Sequence, residues 1–355
     1  MKGFTLFFLA IQAFSNTFSK VEAQRQGANL RRELIEEVVE DNSDWTLFTN
    51  FQERFSKKYE SLEELEYRFQ NFNTNMRKIV AHNSQPSTNF TMGINIFSDL
   101  TPSEFKAMYA SGFKRENLGS YGCKTFSSAA TGAPSAVDWR TKNVVNPVRD
   151  QGQCGSCWSF ATTSNAESVW AINKGQLLDL SEQYLVDCAK GVGYGNLGCN
   201  GGQMDSAFKY MINYGQCAES AYPYTSGATQ TAGTCHTCSS PQTDFTYCSD
   251  VKPNDQVSLK GAVLSQPVVV AIEADTRYFQ SYSGGILTDA SCGTKLDHAV
   301  EIVGYGVDNG IKYWNVRNSW GTSWGEGGYV RIARSDSTND AGVCGIEMEP
   351  SYISV

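Results

Sequence analysis

Histidine is scarce in this chain. His82, His236 and His298 are the only three in 355 residues. That is too few for a multi-histidine metal centre, and any imidazole chemistry must use one of these positions. Positive charge is also short: 29 basic residues against 37 acidic ones give a formal net charge of −8. No basic run supplies the phosphate footprint that a nucleic-acid partner requires. No stretch reaches 18 consecutive apolar residues, so no membrane span is expected. With 41% hydrophobic and 19% charged residues, the composition is ordinary for a globular protein. It excludes a mainly disordered chain, a coiled coil and a collagen.

Cysteine, by contrast, is plentiful. Eleven are present, and the odd count leaves at least one thiol outside any set of disulfides. The amino terminus suggests where the others oxidise. Lys2 precedes an apolar stretch from Phe4 to Ala13, and Val21-Glu22-Ala23 places small side chains at the two positions that a signal peptidase reads. Residues 1–23 are therefore expected to be a secretory signal peptide. An oxidising lumen follows, in which most cysteines pair.

The remainder falls into two parts. Residues 24–132 hold 14 acidic and 13 basic residues and one cysteine, Cys123; residues 133–355 hold 22 acidic and 14 basic. Ser127 to Ala133, rich in Ser, Ala, Thr and Gly, is expected to be an exposed, cleavable linker. The first part is expected to be mainly helical. Trp45, Phe48, Phe51 and Phe55 recur near a 3.6-residue period, as do Leu62, Leu65, Phe69 and Phe72. Thr101-Pro102-Ser103-Glu104 carries a capping box with proline at the first helical position. Gly93 to Phe97 alternates like a strand. His82 is expected to be solvated on its helix. So few core-forming residues occur here that the part is expected to pack on the rest of the chain.

In the second part, residues 156–173 and 205–213 suit helices. Residues 267–272, 299–304, 313–317 and 328–332 suit strands. A helical half followed by a β-rich half predicts an α+β fold with a cleft where the halves meet.

The most specific run is Gln151-Gly152-Gln153-Cys154-Gly155-Ser156-Cys157-Trp158. A glycine-rich turn delivers Cys157 to a helix start, where unpaired N–H groups and the positive end of the dipole favour a thiolate. Such a nucleophile needs a base that can later protonate the leaving amine, and imidazole suits both tasks. His298 lies 141 residues on and Asn318 a further 20, where its amide can orient the ring without adding charge. Cys154 and Cys157 could instead form a zinc or redox pair, but no second ligand pair stands beside them. Cys235-His236-Thr237-Cys238 resembles a metal knuckle, yet disulfides beside an exposed histidine suit a secreted chain better. No metal and no cofactor is implied.

On these residues the chain resembles a papain-like cysteine peptidase of the cathepsin L-like branch, made as a preproenzyme. The resemblance implies Cys157 as nucleophile, His298 as acid and base, Asn318 as the orienting residue and Gln151 as side-chain donor of the oxyanion hole. It implies Trp320 as the indole shielding the His–Asn hydrogen bond, and Gly201, Gly202 and Asp297 as substrate-binding positions. Met204, Ala271, Leu296 and Ala299 resemble the walls of the main specificity pocket, and Glu349 its floor. Glu64, Arg68, Phe72, Asn75, Ile79 and Asn83 match the family's ERFNIN propeptide helix, with Asn71 where Val or Ile is usual. Gly93, Asn95, Phe97 and Asp99 match its second propeptide motif.

A segment of this kind runs through the cleft in reverse and blocks it. Residues 24–132 are therefore expected to be an inhibitory propeptide and 133–355 the peptidase domain. The pairings implied are Cys154 with Cys199, Cys188 with Cys235 or Cys238, and Cys292 with Cys344. Cys217 with Cys248 is a guess, and Cys123 is expected to be lost on processing.

The expected activity is hydrolysis of peptide bonds through a Cys157 thioester, by a monomer with protein and peptide substrates. Its own propeptide, and cystatin-type proteins, are the expected inhibitors. A silent binding relative and an acyltransferase using the same Cys–His pair are the alternatives. An exopeptidase is disfavoured because no histidine lies between Cys157 and His236 to occlude the cleft. Asn89-Phe90-Thr91 is the one glycosylation sequon found, and the destination is expected to be the lysosome or the exterior.

Overall fold

The computed structural model describes residues 42–114, 121–128, 132–191, 193–238, 243–288 and 292–355. The expected signal peptide lies outside them, as does the middle of the linker. The chain divides into two compact units, Met1–Phe69 and Gln70–Val355.

In the first unit, helix α1 (Asn42–Arg54) and the start of α2 (Leu62–Asn83) carry the two aromatic series that periodicity anticipates. Phe69 meets Trp45 at 4.9 Å and Phe48 at 5.3 Å between ring centroids, and Phe48 stacks on Tyr59. Arg68 and Glu64 of the motif face each other at 3.8 Å, one turn apart.

In the second unit, the rest of α2 fastens the stretch that follows it. Asn75 donates to the Ser98 and Leu100 carbonyls, and Asn83 exchanges two hydrogen bonds with the Met92 backbone. A side-chain amide mimics a peptide group, so these asparagines act as a substitute strand partner. The strand expected at Gly93–Phe97 is displaced upstream: β1 is Phe90–Met92. Asn95 explains the shift. Its side chain accepts from Phe97 N–H and donates to the Gln280 carbonyl, which closes a local turn. His82 is buried rather than solvated, with Nε2 3.1 Å from the Phe90 carbonyl and its ring on the Phe90 ring. Helix α3 (Pro102–Tyr109) has the capping box at Thr101 and Glu104.

The helical half packs around α4 (Cys157–Lys174), whose side chains are buried through Ala171, together with α5 (Glu182–Cys188) and α6 (Met204–Tyr214). The other half is a sheet with α7 (Gln256–Ser265) against it. Besides β1, the described strands are β2 (Lys124–Phe126), β3 (Val137–Asp138), β4 (Tyr247–Val251), β5 (Val268–Ile272), β6 (Tyr282–Leu287), β7 (His298–Asp308), β8 (Ile311–Arg317), β9 (Tyr329–Ala333) and β10 (Ser351–Ser354). Their order is β1-β6-β9-β8-β7-β5-β10-β4-β2, with β3 on β7. Both edge strands of that path, β1 and β2, come from before residue 133. For the first part's described residues beyond Phe69, the expected packing on the second is thus realised through the sheet. It is realised through the core too, where Phe97 and Phe105 join Phe279, Trp320 and Trp324.

Candidate active site

Cys157 is the first residue of α4, presented by a turn in which Gly155 N–H donates to the Cys199 carbonyl at 2.9 Å. A Cβ on Gly155 would stand 2.4 Å from that oxygen, so only glycine lets the turn close. The Cys154–Cys199 disulfide locks it. His298 opens β7, paired with Ile272 of β5, and Asn318 directly follows β8. His298 Nε2 and Asn318 Oδ1 are 2.7 Å apart, which leaves Nδ1 as the nitrogen free for proton transfer; Nδ1 has no hydrogen-bond partner. The Ala299 N–H donates to Cys157 Sγ at 3.3 Å. Gln151 donates through Nε2 to the Cys154 carbonyl, and its Oε1 accepts from the Ser319 hydroxyl at 2.7 Å. Trp320 lies over the imidazole at 4.6 Å and is buried.

Both members of the pair are fully covered, at 0% exposure. Burial pushes the Cys157 thiol up to about 12, and the Ala299 N–H only partly offsets it. Burial likewise holds the His298 imidazole down to about 4, against the opposing Asn318 hydrogen bond. Burial therefore disfavours both charged forms, the thiolate and the imidazolium.

The cover is a run that sequence reasoning missed. Phe113 N–H donates to the Asp297 carbonyl, Lys114 N–H to the Gly202 carbonyl, and Gly202 N–H to the Gly112 carbonyl. Gly201, at φ 106°, gives the backbone its approach. Gly112 lies directly on Cys157: a Cβ there would meet Sγ at 2.6 Å and the Gly155 carbonyl oxygen at 2.7 Å. Gly112 and Phe113 carry no catalytic signature. Their distance past the capped α3 is the one signal that could have located them.

Phe113 belongs to the same buried apolar cluster as Met204, Ala271 and Ala299, with Leu296 packed against that cluster. A cavity of about 120 Å³ opens beside it, lined by Met204 and Glu349 and also by Asp205 and Asp250. Ala271, Leu296 and Ala299 do not line this cavity. Burial, and then the neighbouring carboxylates, raise both aspartates.

The described disulfides are Cys123–Cys248, Cys154–Cys199, Cys188–Cys235, Cys217–Cys238 and Cys292–Cys344. Cys157 is left free. The guess of Cys217 with Cys248 is wrong. β2 runs parallel to β4 and places Cys123, beside its first residue, opposite Cys248. Cys217 instead pairs with Cys238, 21 positions further along the chain.

Residues 133–354 match the papain family of cysteine proteases, and residues 48–105 match the cathepsin propeptide inhibitor domain. The chain belongs to the papain family. It is a cysteine endopeptidase synthesised as a zymogen, with its inhibitory domain ahead of the protease domain. Among relatives, it is 42% identical to fruit bromelain of Ananas comosus over 86% of this chain and 85% of that one. It is 43% identical to the probable cysteine protease RD21C of Arabidopsis thaliana over 83% of this chain, spanning 65% of RD21C. Among solved structures, digestive procathepsin L 3 from the larval midgut of Tenebrio molitor is 38% identical, with a TM-score of 0.79 over 89% of this chain and 100% of that one.

Proposed function

We propose that the protein hydrolyses internal peptide bonds with Cys157 as nucleophile once residues 112–114 have left the cleft. The observation that carries this reading is the backbone of Gly112–Lys114, hydrogen-bonded to Gly202 and Asp297 and pressed on Sγ as an extended ligand would be. When the cover leaves, His298 Nδ1 takes the Cys157 proton. Sγ adds to the substrate carbonyl carbon, and the oxyanion is held by the Gln151 amide and the Cys157 N–H. The imidazolium passes its proton to the leaving amine, and a water activated by the same ring then hydrolyses the thioester. Asn318 keeps Nε2 occupied so that Nδ1 faces the sulfur.

The cavity beside Phe113 takes the side chain one residue before that at the cleaved bond. Its Met204 wall suits an apolar group, and the Glu349 carboxylate suits the guanidinium of an arginine. The chain enters the secretory pathway through residues 1–23, is processed near Ala133, and works in a lysosome-like compartment or outside the cell. Asn89, which is exposed, accepts a glycan. The test is hydrolysis of fluorogenic peptides by acid-processed protein and by Cys157→Ser. Turnover by the wild type alone supports the reading, and comparable turnover by both removes it. Amine incorporation in place of hydrolysis would favour an acyltransferase.

A further inference from the structure

The Cys123–Cys248 disulfide joins a residue ahead of the protease domain to a strand inside it. It is not an isolated link. β2 extends the sheet beyond β4 in parallel register, with Lys124 opposite Ser249, Thr125 opposite Asp250 and Phe126 opposite Val251. Beyond the strand, Lys252 N–H donates to the Phe126 carbonyl and Ser128 N–H to the Ser258 hydroxyl. The Phe126 ring meets Tyr352 edge-on at 5.9 Å, and the Lys124 ammonium lies 3.5 Å from the Tyr247 ring centroid. Cys248 is buried, while Cys123 is partly exposed at the sheet edge.

We infer that residues 121–128 stay on the processed enzyme as a disulfide-held second chain, serving as the outermost strand of its sheet. The inference rests on the zymogen reading above and extends it. A cut on the carboxyl side of Cys123, including one near Ala133, cannot by itself release anything upstream. The disulfide still connects the cleft-blocking run 112–114 to the protease domain. A blocking segment held in this way acts at the effective concentration of an intramolecular ligand, not of a diluted peptide. Activation therefore requires a second cut on the amino side of Tyr121, or reduction of the bond. β1, the opposite edge strand, has no such link and leaves with the inhibitor. The retained strand also backs β4, which contributes Asp250 to the specificity cavity.

The experiment is intact-mass spectrometry of the acid-processed full-length precursor, prepared without thiol and measured before and after phosphine reduction, with peptide hydrolysis assayed in parallel. The expected result is a main chain beginning near Ala133 that loses a Cys123-containing peptide on reduction. The Cys123→Ser/Cys248→Ser double variant should give the main chain alone. An active enzyme whose mass does not fall on reduction, with Cys248 alkylating as a free thiol, would overturn the inference and leave the endopeptidase reading intact. A processed protein that carries the peptide but hydrolyses nothing, even after reduction, would instead count against that reading.

Discussion

The cluster around Cys157 proposed as catalytic and the run that covers it touch, yet they differ in kind. Gln151, Cys157, His298 and Asn318 are held by side-chain chemistry, and few residue types can do their work. Gly112, Phe113 and Lys114 are held chiefly by backbone hydrogen bonds and by the lack of a side chain at Gly112. A site made from side chains is visible in a sequence. A site made from main chain is not, because every residue offers the same N–H and C=O.

This contrast can be tested from both sides. The largest effect belongs to the side chains. Cys157→Ser or His298→Ala should lower kcat/KM by about 10⁴-fold or more, whereas Asn318→Ala, which only frees the ring to rotate, should keep measurable activity. Steady-state kinetics on one fluorogenic peptide separates the three.

Gly112→Ala tests the main-chain side. Relieving its clash with Sγ and the Gly155 carbonyl should cost about 1–3 kcal/mol, or about one to two decades in the closed-to-open ratio. The readout is residual hydrolysis by intact precursor at neutral pH, which should rise over wild type. An unchanged residual rate would show that the run does not depend on glycine at 112.

Glu349→Ala should lower the preference for Arg over Phe at the pocket position. A charge-assisted hydrogen bond of about 1.5–3 kcal/mol corresponds to about one to two decades in the kcat/KM ratio. The same ratio in wild type and Glu349→Ala at every pH from 4.5 to 6.5 would show that Glu349 does not read the substrate.

Two buried carboxylates set an expected pH response of the fold. Burial raises Asp297 to about 8 and Glu347 to about 7, and each keeps one buried oxygen without a hydrogen-bond partner. Their folded values lie above the unfolded ones of about 4, so ionisation is penalised in the fold. The penalty is absent below about pH 4 and grows as pH rises through 7 to 8. His298 opposes this, because its lowered value costs stability as pH falls from about 6.5 towards 4. Burial also raises Glu182, Asp205 and Glu301, so the raised carboxylates outnumber His298, and the Tm of Cys157→Ser precursor should fall from pH 5.5 to pH 8. Calorimetry checks the sign.

The smallest effect is expected at Asn71, where the propeptide motif departs from its usual Val or Ile. Its side-chain nitrogen is buried without a hydrogen-bond partner. Asn71→Val should stabilise the precursor by about 1 kcal/mol, read as a higher urea midpoint.

The same division explains what was legible elsewhere. Helices α1 and α2 followed from aromatic and aliphatic periodicity, and α4 and α6 from runs without Gly or Pro. β5 and most of β7 were visible as nearly continuous apolar runs, because they are buried on both faces, whereas β8 and β9 carry polar residues and were read from their aromatic and β-branched content. β1 was misplaced because Asn95 closes a turn with its own side chain, which an alternating pattern conceals. His82 was misjudged because a polar residue on a helix reads as exposed until its partner, the Phe90 carbonyl, is known. Cys123 could not be paired because β2 is a short edge strand whose register depends on β4, 125 residues away.

The central claim is that residues 112–114 hold Cys157 covered and neutral until they leave. Since Cys157 is the one free thiol among the cysteines, its alkylation by iodoacetamide can be followed by mass at a single site. The account predicts slow labelling of the intact precursor near neutral pH, and labelling faster by decades once the cleft has been cleared by processing. Equal rates in the two forms would contradict it.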